Sequence, residues 1–304
     1  MTDIRRRVLT ALTLDRTPGF NYSGNFLGVR FTDSSPQRSV LVIDQGLHCE
    51  DEAGHTDIGA VCLLADVSMG TVVRANLSPE QRLATVSLTL QFTGAPFSGS
   101  LEGTGTFENF VDGADSRQGL CRVAVTASGR QVLYGTGAFM VMNPPPGRTM
   151  YPLVSADHTK ADPLAEHALE PHEAALLSRA DRALNSTQGA RGFLRHFWGF
   201  LPETTSDGAR CQIDNGPHLG NRVGHMQGGL QLGLAIITAE AALPSGWRVA
   251  GISAFFLSAG EGSGITARSC IEHRGRNTAV VRTTLTTQSG RRVLDAVTTH
   301  LRRE

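Results

Sequence analysis

The chain has 304 residues, 40% hydrophobic and 18% charged, with 28 basic residues balanced by 28 acidic ones. That length suits two ordinary domains, the composition excludes a disordered chain, and zero formal charge gives no overall pull toward nucleic acid or an anionic membrane. The five cysteines (Cys49, Cys62, Cys121, Cys211, Cys270) are odd in number and widely spaced with no CxxC pair, which argues against a disulfide framework and against a zinc site.

The N-terminal stretch MTDIRRRVLTALTL has neither a long apolar core nor a small-residue cleavage site. No apolar run reaches about 18 residues, so a cytoplasmic protein without a membrane span is expected. Next comes IDQGLHCEDEAGHTDIG, Ile43 to Gly59, which returns as IDNGPHLGNRVGHMQGG, Ile213 to Gly229, at a constant offset of 170 residues (213 − 43). The shared frame is Ile43/Ile213, Asp44/Asp214, Gly46/Gly216, His48/His218, Gly54/Gly224, His55/His225 and Gly59/Gly229. Between those positions the polar residues differ: Asp51, Asp57 and Ile58 in the first copy stand against Asn221, Gln227 and Gly228 in the second. A repeat this long means duplicated domains, not stacked small units.

Each copy then enters an apolar segment, GAVCLLADVSMGTVV from Gly59 and GGLQLGLAIITAEAAL from Gly228, apolar on nearly every side as a buried helix is. Strand patterns follow: ATVSLTLQF (Ala84–Phe92) and VAGISAFFL (Val249–Leu257), then GSLEGTGTFENF and GITARSCIEHRG. The segments from Cys121 and Thr278 each contain Ser-Gly-Arg, at Ser128–Arg130 and Ser289–Arg291, read as hairpin turns. Each half thus predicts a helix and then three or more antiparallel strands in a meander. Between the halves, NPPPGR (Asn143–Arg148) stops a strand, because three prolines cannot join a ladder. The helical PHEAALLSRADRAL after it has Pro171 at a first-turn position and corresponds to the N-terminal helical stretch. The domain boundary is placed at residue 146, giving units 1–146 and 147–304.

A buried helix that opens on a Gly-Gly turn and is wrapped by an antiparallel sheet resembles the hotdog fold. The motif NRVGHMQGG further resembles the acyl-CoA thioesterases of the phenylacetate-degradation (PaaI-like) type, which carry N-x-x-G-x-x-H-G-G and an acid nine residues after the His. Asn221, Gly224, Gly228 and Gly229 match; Gln227 replaces the His, and Ile236 stands where the acid belongs. The first half is the mirror case: Asp66 stands nine residues after Asp57, but Asp51 and Asp57 replace the Asn and His. The resemblance spans about residues 25–142 and 195–302.

The resemblance implies an α+β fold, with two hotdog domains in one chain and an acyl-CoA thioesterase site shared between them. Asp66 from the first domain would meet Asn221, Gln227 and Gly228 from the second, while the opposite pairing, Asp57 against Ile236, would be degenerate. In this scheme the Gly228 N–H, at a positive helix end, stabilises the thioester oxygen as it gains charge. Asp66 attacks the carbonyl or serves as general base, and the sequence leaves that choice open. Asn221 and Gln227 orient water or thioester, although a neutral Gln cannot shuttle a proton. Thr85 matches a hydroxyl residue that contacts the attacking water in relatives; it also reads as an ordinary strand residue.

Asp66 is the only charged residue between Ile58 and Val73, and a lone buried carboxylate needs compensation. A core or helix-end hydrogen bond would be the structural explanation for it. Gly229 is expected to touch substrate, and Arg274 and Arg276 of the charged EHRGR stretch are expected on CoA phosphates. His48/His218 and His55/His225, kept in both copies, are read as serving the shared turn. Glu240, one helical turn after Ile236, could restore an acid to the second site, but Asp57 would repel it. No cofactor is expected beyond CoA as part of the substrate, and no metal. The partner is a small-molecule acyl-CoA, with neither nucleic acid nor membrane, and the double-domain chains are expected to pair as a homodimer. Two other functions fit the same fold. One is a hotdog dehydratase or hydratase on a CoA or carrier-protein thioester, although no His fills either motif position. The other is a non-catalytic acyl-CoA-binding protein.

Overall fold

A computed structural model describes residues 3–17, 19–144 and 160–303. In the first half, helices α1 (Asp3–Asp15) and α2 (Tyr22–Leu27) precede strands β1 (Arg30–Ser34) and β2 (Arg38–Ile43). The long helix α3 (Ile58–Arg74) follows, and then β3 (Arg82–Phe92), β4 (Leu101–Asp112), β5 (Arg117–Ala127) and β6 (Arg130–Met142). The second half repeats this series. Helices α4 (Pro171–Asn185) and α5 (Phe193–Trp198) precede β7 (Glu203–Thr205) and β8 (Gly208–Asp214); α6 (Gly228–Ala241) leads to β9 (Trp247–Phe256), β10 (Gly264–Arg274), β11 (Thr278–Thr287) and β12 (Arg292–Arg302). The architecture is α+β.

Among the described residues the strands join one antiparallel sheet in the order β1-β2-β4-β5-β6-β3-β9-β12-β11-β10-β8-β7. The order is symmetric: exchanging each strand of the first half for its counterpart in the second reverses the list. The central joint is β3 against β9, with Ser87 opposite Phe255 and Gln91 opposite Gly251. The expected meander holds for β4, β5 and β6, but β3 pairs with β6 and not with β4. The chain after Phe92 crosses back to lay β4 beside β2. Strands β1, β2, β7 and β8 were not anticipated; β2 (RSVLVI) is buried along most of its length and so lacks the alternation of a half-exposed strand.

The two long helices are apolar all round because each is covered twice. One side packs on the strands of its own half, and the other packs on its counterpart. Glycines set how closely α3 and α6 approach. A Cβ on Gly229 would lie 2.5 Å from the Leu63 Cα, and one on Gly233 would lie 2.6 Å from the Gly59 Cα. Backbone therefore rests on backbone at the crossing. The Ser128-Gly129 turn joining β5 to β6 has φ of 48° and 78°, the positive pair that a two-residue type I′ hairpin demands.

Helix α4 starts at Pro171 with a reciprocal Glu170/Glu173 capping box, and α1 and α4 correspond as expected. The two are joined by ion pairs: Arg5 Nε to Asp181 at 3.0 Å and Arg16 Nη2 to Glu173 at 2.6 Å. Strand β6 ends at Met142; the boundary placed at residue 146 lies outside the described residues. Among the described residues, no helix is long and apolar enough to cross a membrane.

Candidate active site

The recurring frame builds one loop twice. The loop N–H groups of Asp57 and Gln227 donate to the carbonyls of Cys49 (2.7 Å) and Leu219 (2.9 Å), and those of Asp51 and Asn221 donate to His55 (2.7 Å) and His225 (2.6 Å). Gly54 and Gly224 recur because both need positive φ, 80° and 83°. Gly46 and Gly216 recur because the ring of the following His lies against them, at 3.1 and 3.2 Å from a would-be Cβ. Those rings, His48 and His218, meet Phe26 and Phe197 edge-on at 6.1 and 5.7 Å. Burial holds the His218 pKa down at about 3, so it stays neutral and structural.

Asn221 serves the same loop. Its Oδ1 accepts the N–H groups of Val223 (3.0 Å) and His225 (3.1 Å), just as the Asp51 Oδ1 accepts those of Ala53 and His55, both at 2.9 Å. The expected contrast between Asp51 and Asn221 is therefore one of charge on a shared backbone clamp.

Asp66 sits midway along α3, 6% exposed, facing the N-terminus of α6. Its Oδ2 accepts the Gly229 N–H at 2.9 Å, and its Oδ1 accepts the Thr85 hydroxyl at 3.2 Å. A Cβ on Gly228 would stand 3.0 Å from the Asp66 Oδ2 and 3.1 Å from the Thr85 Oγ1, so only a glycine leaves the carboxylate uncovered there. The Gly229 N–H is thus committed to Asp66, not to substrate as the sequence suggested. The Gly228 N–H, at the first helical position, has no partner within the helix. Burial raises the Asp66 pKa to about 6, against the opposing pull of the Gly229 N–H and the Thr85 hydroxyl.

These groups line a cavity of about 530 Å³. Asp66, Thr85, Asn221, Gln227 and Gly228 all reach it, with Phe20, Leu83, Phe139, Met142, Met226 and Phe256 supplying apolar wall. Gln227 is 5% exposed and its Oε1 is buried without a hydrogen-bond partner. Gln231, one turn later, repeats this: its Nε2 donates to the Met226 carbonyl at 2.8 Å while its Oε1 is buried without a partner. His225, read from the sequence as serving the shared turn, also lines the cavity and lies 3.6 Å from Glu261.

The opposite pairing is closed. Asp57 caps α3 by accepting the Gly59 N–H at 2.8 Å, and its other oxygen accepts Arg195 Nε at 2.9 Å. Trp198 fills the space beside Gly59, 2.8 Å from a would-be Cβ. The bulge that sets Thr85 in β3 recurs in β9 at Val249, which has no hydroxyl, and Ile236 replaces the acid. Burial acts most strongly on Glu240 and raises its carboxyl pKa, against the opposing pull of the Val249 N–H and of Arg195 and Arg248; the repulsion expected from Asp57 is the weakest of these effects. Asp57→Ala removes both a cap and one partner of a buried ion pair. Its unfolding free energy in denaturant is expected to fall by about 2–4 kcal/mol.

Arg274 and Arg276 are not at the cavity. Arg274 opposes Ala279, which opposes His300 and then Val249, whereas the cavity borders the other end of β9 at Phe256. The basic residues that do line it are Arg74, Arg82 and Arg222, which the sequence reading passed over. Arg74 lies eight residues after Asp66 on one helix and Arg222 inside the motif itself, so spacing alone could have flagged both. Arg195 could not be flagged, since it meets Asp57 across 138 residues of chain. Among the described residues no group of His, Cys, Asp and Glu is arranged to hold a metal.

No protein-family profile matches this sequence, and no curated protein matches it. Solved structures do. A protein named as an oleoyl thioesterase from Lactobacillus plantarum aligns with a TM-score of 0.55 over 91% of this chain and 98% of its own, at 9% identity. One named as a thioesterase from Novosphingobium aromaticivorans gives 0.50 over 91% and 99%, at 16% identity. At such identities the likeness is one of fold, and it extends along nearly the whole chain.

Proposed function

We propose that this chain is an acyl-CoA thioesterase of the tandem hotdog, phenylacetate-degradation type, hydrolysing an acyl-CoA to free acid and CoA at one site between its halves. The observation that carries this reading is the buried Asp66 carboxylate, held by the Gly229 N–H at the α6 N-terminus and by the Thr85 hydroxyl, on the wall of a largely apolar cavity. The two solved structures of like fold are named as thioesterases, which agrees with it. The mirrored strand order supports two hotdog units, each wrapping one long helix.

Chemistry follows from the environment. A thioester carbonyl beside Asp66 would point its oxygen at the Gly228 N–H and the positive end of α6, where developing negative charge is stabilised. Asp66 in its charged form attacks that carbon or takes a proton from the water that does. Both steps need the carboxylate, and both expel CoA as a thiolate, a good enough leaving group to depart without a strong acid. The buried Gln227 Oε1 can accept a hydrogen bond from the water or from the amide of the thioester arm.

Free-thiol release across a panel of acyl-CoA substrates tests the activity. Thiol release separates hydrolysis from hydration of an unsaturated acyl-CoA, which releases none, and from binding without turnover. Because Asp66 titrates at about 6, kcat/KM is expected to fall as pH drops through that value. A profile flat from pH 8 to pH 4.5 would remove Asp66 from the reaction. Gln227→Ala should lower kcat by about tenfold to a thousandfold without loss of fold, and combined with Asp66→Asn it should add little further loss.

A further inference from the structure

The two halves differ at one more pair of positions beside the active turn. Gln231 follows Gln227 by one turn of α6, and the matching place in α3, at the same offset of 170 residues (231 − 61), holds Val61. The Met226 N–H donates to the Gly260 carbonyl at 2.7 Å, just as the Thr56 N–H donates to the Phe97 carbonyl at 2.8 Å. Gly260 therefore stands where the first half has Phe97. The closed half is apolar at both positions, with a large ring at one; the open half has an amide and a residue without a side chain. Gly260 does not adopt positive φ, so its missing side chain serves space. A Cβ there would press on the Met226 Cβ at 3.1 Å and on the Gln231 Nε2 at 3.2 Å. The Asn215 Nδ2 also donates to the Gly260 carbonyl, at 3.1 Å, and holds that loop in place.

The Gln231 amide is fixed in one sense. Its Nε2 donates to the Met226 carbonyl at 2.8 Å, and turning the amide over would set oxygen against oxygen. The Oε1 is left as an acceptor without a partner, on a side chain that is 4% exposed and lines the cavity. A buried amide oxygen with no donor costs stability, a cost the first half avoids with Val61. A largely apolar cavity that keeps such an acceptor is suited to a ligand that brings the donor.

We propose that Gln231 is a specificity-determining residue of the site, whose Oε1 accepts a hydrogen bond from an O–H or N–H of the substrate. This rests on the thioesterase reading above. The donor is a hydroxyl on the acyl chain or an amide N–H of the pantetheine arm. Gln231 lies three residues beyond Gly228, a rise of about 4.5 Å along α6, so the donor sits a few bonds from the reacting carbon. A substrate without that donor leaves the oxygen unpaired and is disfavoured.

Thioether analogues, which cannot be hydrolysed, separate the sources by calorimetric titration. One set is hexyl-CoA with its 3-, 4- and 5-hydroxy derivatives. The other pair is hexyl-pantetheine and its analogue with both amide N–H groups replaced by ester oxygens. If the acyl chain brings the donor, at least one hydroxy derivative should bind the wild type about tenfold more tightly than hexyl-CoA. If the arm brings it, the same margin should separate the amide from the ester compound. In either case Gln231→Met should reduce the margin to within twofold, and Gln231→Val, the residue of the first half, should do the same. Comparing margins within one protein cancels any general loss from the broken Met226 contact. A wild type that shows no margin in either set, or a margin that survives both substitutions, overturns the assignment. Thiol release from hexanoyl-CoA tests hydrolysis separately, so a margin in binding without turnover would remove the thioesterase reading and leave Gln231 as a ligand contact.

Discussion

Asp66→Asn is expected to slow thioester hydrolysis by about a hundredfold to ten-thousandfold and, at the same time, to stabilise the fold. The second half of that expectation comes from proton linkage. The folded protein holds the Asp66 proton up to about pH 6, whereas the unfolded chain releases it near 3.8. Between those values the folded state binds more protons, so stability falls as pH rises through the window. Above it, the full cost remains. A shift of about two units corresponds to on the order of 3 kcal/mol, and Asp66 is buried enough for solvent to screen little of it. An Asn keeps an oxygen for the Gly229 N–H and an amide for Thr85 but carries no charge to desolvate. Denaturant unfolding at pH 7 and at pH 4 checks the linkage: the variant's advantage should be present at pH 7 and shrink toward pH 4. A variant less stable than wild type at pH 7 would mean that the carboxylate is held favourably and not under strain.

Gly229→Ala is expected to damage both fold and rate. Its methyl would enter 2.5 Å from the Leu63 Cα and 2.6 Å from the Cys62 carbonyl oxygen, contacts that no side-chain rotation relieves. The helices must part, at a cost of about 3 kcal/mol or more in unfolding free energy. Parting them also draws the Gly229 N–H from Asp66, so hydrolysis should fall at least about a hundredfold. Gly233→Ala is the control, because it meets the Gly59 Cα at 2.6 Å but touches neither Asp66 nor Thr85. It should lose similar stability. In protein that remains folded, it should retain more activity than Gly229→Ala.

The legible parts of the sequence were those written in local pattern. The long helices, strands β3 to β6 and β9 to β12 and the Ser-Gly turn follow from hydrophobic period and turn chemistry, and the repeat pointed to the mirrored halves. Asp66 stood out because an apolar helix has no ordinary use for one carboxylate. What stayed hidden depends on distant parts of the chain. The β3–β6 pairing, the Arg195–Asp57 ion pair and the Trp198 plug over Gly59 each join segments that no spacing rule connects. Asn221 carries a duty that a motif does not show: its oxygen is spent on the loop's own N–H groups. Charged hairpin ends resemble phosphate sites in sequence, which drew attention to Arg274 and Arg276. Arg74, in the tail of the helix that carries Asp66, lines the cavity and went unnoticed.

That two similar halves make one working site, with Asp66 the acid and Asp57 a lock, is tested most directly by measuring kcat/KM on one acyl-CoA for Asp66→Asn and Asp57→Asn side by side. Both variants replace a buried carboxylate with an amide, one against the Gly229 N–H and the other against Arg195. The expected result is a loss of at least about a hundredfold for Asp66→Asn and a rate within a few-fold of wild type for Asp57→Asn. Equal losses would mean two working sites, and a loss confined to Asp57→Asn would mean that the halves exchange roles.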